Sequence, residues 1–220
     1  GELVDYGLLL RPDAEYQVTH ALAHAYARTH AAPDGEAIAR LALHYAALAA
    51  RESKRGLAGY AVLDPQRAHL VAVQAAALAA GQWEIVRKVT WSAKNYLDLK
   101  GYWAERITVI QAGLDAARAA GDRYDEGAFL NELGLAYADL GETRRAIEYH
   151  EQALVINREI GDRRGEGAAL GNLGVAYKNL GETRRAVEFY EQQLVITREI
   201  GDRRGEAIGS WNLGLAYEQE

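Results

Sequence analysis

Apolar residues along this chain recur in a helical rhythm. Leu173, Ala176, Tyr177 and Leu180 fall at i, i+3, i+4 and i+7, which is one face of an α-helix. Ala186, Tyr190 and Leu194 follow at four-residue spacing, the stripe of a second helix, and Gly181 breaks the chain between the two within Leu-Gly-Glu-Thr. The same pattern stands one unit earlier. Residues 121–160 read GDRYDEGAFLNELGLAYADLGETRRAIEYHEQALVINREI, and residues 161–200 read GDRRGEGAALGNLGVAYKNLGETRRAVEFYEQQLVITREI. Roughly 27 of about 40 positions agree without a gap, and a third copy runs from Gly201 half-way, to Glu220.

Each unit is punctuated as a pair of helices. Gly121, Gly161 and Gly201 suit the residue after a helix, where the left-handed conformation is needed. Asp122, Asp162 and Asp202 follow, each able to cap the next helix through its carboxylate. Gly134, Gly174 and Gly214 sit mid-helix, where glycine costs about 1 kcal/mol against alanine. Their recurrence predicts a packing reason: a missing side chain that lets the second helix approach the first. Gln193 stands where the earlier unit has Ala153, a change expected to loosen one contact.

Upstream the pattern is fainter. Residues 82–100 and 102–120 predict one more pair, with Gly101 in the place of Gly141. Residues 36–54 and 65–80 predict another, with Asp64 as cap, Pro65 at the first helical position and a longer link near 55–63. Residues 1–31 do not follow the repeat. Leu8–Leu10, a turn at Arg11-Pro12-Asp13 and Tyr16–Val18 read as a small hairpin, with a helix starting near Thr19.

Composition agrees with an all-α chain. Hydrophobic residues make up 49% of the 220, enough to bury a core, and no proline follows Pro65. The net charge of −6 has the wrong sign for a main partner of duplex nucleic acid. The Arg-Arg pairs at 144–145, 163–164, 184–185 and 203–204 are expected to be neutralised by nearby glutamates, with Glu148 and Glu188 four residues beyond Arg144 and Arg184. There is no cysteine, so thiolate metal sites are excluded and a reducing cytoplasm is the expected compartment. No apolar run is long enough to cross a membrane.

Leu173, Gly174, Tyr177, Ala186 and Tyr190, and before them Leu133, Gly134, Tyr137, Ala146 and His150, fill a pattern that resembles the tetratricopeptide repeat. The period is longer than the usual 34 or so residues, and the pattern's terminal proline is missing. The resemblance implies a right-handed superhelix, an α-solenoid of antiparallel helix pairs, whose first helices line a concave groove that holds a protein or peptide. The groove positions it implies are Asn131 and Asp139, then Asn172, Lys178 and Asn179, then Trp211 and Asn212. Asparagine offers both donor and acceptor to a peptide backbone, and Trp211 an aromatic platform.

The segment LVDYGLLLRPDAEYQVTHALAHAYA resembles the end of the winged-helix domain of NB-ARC-type (STAND) signal-transduction ATPases, where a histidine at the place of His20 holds nucleotide phosphates. The aspartate that often follows that histidine is Ala21 here. The resemblance implies three regions: a winged-helix end at 1–31, divergent helical repeats at 32–120 and tetratricopeptide repeats at 121–220. It also implies a role as the sensor of a signalling ATPase, with ATP or ADP bound by the parent protein and no cofactor in these residues. A free-standing adaptor is the alternative.

His20 and His24 stand four apart, yet Ala-Leu-Ala separates them and no H-E-x-x-H motif forms, so no metal is expected. No nucleophile elbow or phosphate loop appears, and no turnover is expected. The chain has no methionine and begins at Gly1, so the natural protein is expected to extend upstream. It ends on a first helix that lacks its second, so further repeats, or self-association through that face, are expected. Light scattering at high concentration checks the latter: rising mass is the expected result, and a strict monomer would count against pairing.

Overall fold

The computed structural model describes residues 9–10, 17–18 and 35–218, in two compact units, 1–38 and 39–220. In the first unit, β1 (Leu9–Leu10) pairs antiparallel with β2 (Gln17–Val18), Leu9 opposite Val18 and Leu10 opposite Gln17. The predicted hairpin strands therefore meet. Its turn, the helix from Thr19, and His20, His24 and His30 lie outside the described residues.

The described helices are α1 (Gly35–Ser53), α2 (Leu57–Leu63), α3 (Arg67–Ala79), α4 (Trp83–Leu99), α5 (Trp103–Ala120), α6 (Arg123–Asp139), α7 (Thr143–Ile160), α8 (Arg163–Asn179), α9 (Thr183–Glu199) and α10 (Arg203–Tyr217). From α4 onward every helix starts twenty residues after the last. Each helix from α4 to α9 ends on a left-handed glycine: Gly101, Gly121, Gly141, Gly161, Gly181 and Gly201 all have φ between 68° and 78°. The glycine N–H closes the last turn, and the next residue's N–H reaches back to the carbonyl five residues before it. Glu182 N–H to Tyr177 O is 2.9 Å, and Asp202 N–H to Thr197 O is 2.8 Å. One turn geometry thus serves both kinds of link, and the divergent 82–120 stretch shares it.

The fold is an α-solenoid in which consecutive helices pack as antiparallel neighbours. Helices α4, α6, α8 and α10 are the first members (A) of their pairs, and α5, α7 and α9 the second (B). Asp122, Asp162 and Asp202 cap α6, α8 and α10 as expected, each accepting from the N–H three residues on at 3.0 Å. A single core runs through the stack, from Ile110 and Leu114 through Phe129, Leu133, Leu170 and Leu173 to Tyr190 and Ala216.

The mid-helix glycines do what their recurrence predicts. A Cβ on Gly134 would intrude on the His150 ring, and one on Gly174 on the Tyr190 ring. Each ring fills the space where that side chain would stand. Around Gly214 nothing stands within 4 Å. Gln193, expected to loosen a contact, instead fills one. It packs against Gly171, the position that carries Asn131 one repeat earlier, so a large residue opposite a small one has changed sides.

Arginines clamp the links between repeats. Glu166 is buried and accepts from Arg158 at 2.9 Å and Arg163 at 2.5 Å, and Arg163 also meets Glu199. Glu126 repeats the arrangement with Arg118 and Arg123. The expected forward pairing from Arg144 is corrected: among the described residues it forms no pair with Glu148. Arg145 instead reaches back to Glu142 at 2.8 Å, and Arg185 to Glu182 at 2.9 Å. Both guanidiniums also lie over an A-helix ring, Arg145 at 5.0 Å from Tyr137 and Arg185 at 5.3 Å from Tyr177.

The early pair is also modified. Its long link is itself helix α2 followed by a 3-10 turn at Asp64–Gln66, and the Asp64 side chain does not N-cap a helix as expected. Its carboxylate accepts from the hydroxyls of Tyr96 (2.8 Å) and Tyr102 (3.0 Å) and from Lys100 (2.9 Å). Buried Gln74 then ties α3 to the regular stack, donating to Thr90 Oγ1 at 2.7 Å and Val109 O at 3.0 Å.

Two single substitutions separate packing from propensity. Gly174→Ala is expected to cost about 1–3 kcal/mol, because overpacking against Tyr190 outweighs the helix-propensity gain. Gly214→Ala, with open space around it, is expected to stabilise by up to about 1 kcal/mol. Urea melts of the two variants check the opposite signs.

Candidate functional site

The A helices repeat at forty residues, so equivalent positions form columns along the face between them. One column carries Trp91, Asn131, Gly171 and Trp211; the next carries Ser92, Glu132, Asn172 and Asn212. Polar groups on this face are held from beneath. His150 Nδ1 lies 2.8 Å from Asn131 Oδ1, which also accepts from Asn172 Nδ2 at 3.0 Å. Because that oxygen is the shared acceptor, His150 carries its proton on Nδ1. A buried B-helix histidine thus fixes the rotamers of two groove asparagines from adjacent repeats. Nearby, Lys94 pairs with Glu132 at 2.5 Å, again between A helices of successive repeats.

The other expected groove residues divide. Trp211 is 69% exposed and Asn212 half-buried on α10. Asn179 is exposed and Lys178 half-buried at the end of α8. Asp139 is engaged by the buried Arg106 of α5 at 2.6 Å, which also holds Asp98 at 2.7 Å. Asp139 therefore tightens the edge of the stack.

Sequence reading missed a pocket of about 160 Å³ between α6 and α8. Gly127, Ala128 and Ala168 line its walls, and Asn131, Asn157 and Asp162 supply polar groups. Its signal was available: where the preceding pair has Arg87 and Trp91, this one has Gly127 and Asn131. Among the described residues there is no group of three or more His, Cys, Asp or Glu placed to hold a metal, and no helix long and apolar enough to cross a membrane.

Comparison with known proteins agrees with this architecture. Residues 125–199 match the family described as Tetratricopeptide repeat. No curated protein sequence matches the chain. Among solved structures, BtubC (BKLC) from P. vanneervenii superposes with a TM-score of 0.58 at 17% identity, covering 85% of this chain and 84% of that one. A protein of nearly identical TPR-like repeats from Podosopora anserina, described as a kinesin light chain, gives 0.60 at 20% identity, with 83% and 87% covered. Aspartyl phosphate phosphatase F from Bacillus subtilis gives 0.57 at 15% identity, covering 84% of this chain and 47% of that one. At these identities the likeness is one of fold.

Burial pushes the His150 imidazole down to about 4. An unfolded histidine, near 6.5, takes up its proton first. Stability is therefore full above about pH 6.5, falls as pH drops toward 4 and changes no further through this group below that, by an amount on the order of 3 kcal/mol. His150→Phe, which keeps a ring over Gly134 as Tyr190 does over Gly174, is expected to remove that slope between pH 6.5 and 4. Chemical denaturation of both chains across this range checks it; an unchanged slope would clear His150 of the role.

Proposed function

We propose that the chain is a protein- or peptide-binding scaffold whose docking surface is the face lined by α4, α6, α8 and α10. The observation that carries this reading is the pair Asn131–Asn172, pre-set by His150 on an otherwise accessible face. A carboxamide held in one rotamer by a buried partner binds a peptide amide without first losing side-chain entropy. Trp211, mostly exposed in the same column, supplies a rigid apolar anchor.

As a finer reading we propose the sensor module of a signalling ATPase. Its support is the 3–27 segment with His20 as a phosphate contact in the parent protein. A free-standing adaptor draws equal support from the repeats. A GxxxxGK[ST] motif upstream of Gly1 in the parent gene separates the two. In the sensor case, partner binding acts by differential affinity for resting and active states.

Selection from a displayed library of extended peptides tests the surface. Selected ligands are expected to lose about tenfold in affinity, about 1.4 kcal/mol, with Asn172→Ala or Trp211→Ala. Val155→Ala, on the outward side of α7, is expected to leave them unchanged. Ligands indifferent to both groove substitutions would end this reading.

A further inference from the structure

Successive junctions between A helices can be compared position by position, forty residues apart. Between α4 and α6, Arg87 pairs with Asp125 at 2.9 Å and with Asp122. Trp91 lies on Phe129 with ring centres 4.8 Å apart, and its Nε1–H donates to Asp125 at 3.1 Å. That junction is closed by the protein's own cation and indole. Between α8 and α10 the space is taken differently: Gln193 packs against Gly171 and Gly209, and the Thr197 methyl lies close to Gly205.

Between α6 and α8 both fillers are missing. Gly127 and Asn131 occupy the places of Arg87 and Trp91, leaving the 160 Å³ pocket. The acceptors that faced the cation in the first junction are partly kept. Asp162, the counterpart of Asp122, caps Gly165 N–H with Oδ1 at 3.0 Å, and among the described residues no cation pairs with it. Asp125 has become Gly165, but Asn157 stands where the first junction has Ala117. Asn157 is only 3% exposed. Its carboxamide lies between two glycines: a Cβ on Gly127 would stand 2.7 Å from its Oδ1, and one on Gly165 2.8 Å from its Cγ. Among the described residues its side chain makes no hydrogen bond. The carboxamide lines the pocket, where a ligand's donors can meet its oxygen. Of the other charges lining the pocket, Glu132 is held by Lys94, while Arg164 is exposed and screened by solvent.

We propose that this pocket takes the guanidinium of an arginine side chain presented by a bound protein or peptide, which stands in for the missing Arg87. The assignment rests on the groove reading above and adds the chemistry of one subsite. A planar fork suits the carboxylate of Asp162 and the carbonyl of Asn157, with the methylene stem along Ala128 and Ala168. A lysine ammonium, compact and strongly hydrated, gives up more water for fewer aligned bonds.

The test uses the isotope-labelled chain with N-acetyl-arginine amide as probe, and the citrulline and lysine analogues as controls. Saturable shifts are expected at the Asn157 side-chain amide and the Gly165 N–H with arginine, none with citrulline, and at least about fivefold weaker binding with lysine. Asp162→Asn, which still caps α8, is expected to weaken binding at least about tenfold. The double graft Gly127→Arg with Asn157→Ala restores the arginine and alanine of the first junction and is expected to abolish the Gly165 response with the helical melt retained. Equal shifts with citrulline or lysine, no saturable response at Asn157, or indifference to Asp162→Asn would overturn the proposal. Trp211→Ala is expected to leave these shifts unchanged. Peptides that lose affinity with Trp211→Ala but ignore Asp162→Asn would leave the groove reading standing without this subsite.

Discussion

Everything in the regular part of this chain depends on two helices being able to come within a ring's thickness of each other. Gly134 and Gly174 make that possible by carrying no side chain where His150 and Tyr190 lie. The helix-propensity cost of each glycine is small beside the apolar surface that close approach removes from water. Once the pair is closed, its opposite faces are fixed in direction, and the polar column on the A helices follows from that.

Within this frame, side chains are exchanged in compensating sets. Gly171 faces Gln193, and the equivalent positions one repeat earlier carry Asn131 and Ala153, so the larger side chain at that level comes from one helix or from the other. The polar consequence is larger than the steric one. Only the first arrangement gives His150 an acceptor and links Asn131 to Asn172, whereas Tyr190, over Gly174, leaves its hydroxyl buried without a partner. The junctions show the same logic. Arg87 and Trp91 close one, and small residues open the next.

The helices from residue 121 onward were readable because the repeat recurs without a gap, down to the capping aspartates and the turn glycines. The 82–120 pair was fainter because its A helix spends equivalent positions on Arg87, Trp91 and Lys94, side chains chosen for contacts that a linear pattern does not reveal. Asp64 misled for a related reason. Next to Pro65 it has the local grammar of a cap, and three distant partners, Tyr96, Lys100 and Tyr102, override it. Arg144 and Glu148 had the right spacing, but in the same turn Arg145 has both Glu142 and the Tyr137 ring within reach. Groove asparagines could be named from the repeat. The pocket at Asn157 and Asp162 could not, because it is defined by residues that are missing relative to a neighbouring unit.

The uniform step of twenty residues from one helix start to the next has a bearing on how such a chain can change over generations. One residue added inside a helix turns every side chain beyond it by about 100°, carrying the glycine seats and buried rings out of register with their partners. Copying a whole forty-residue block leaves every register intact. Growth by duplication followed by drift at single sites is thus the route this geometry leaves open, and the gapless agreement of 121–160 with 161–200 at about two-thirds of positions is what a step along it would leave behind.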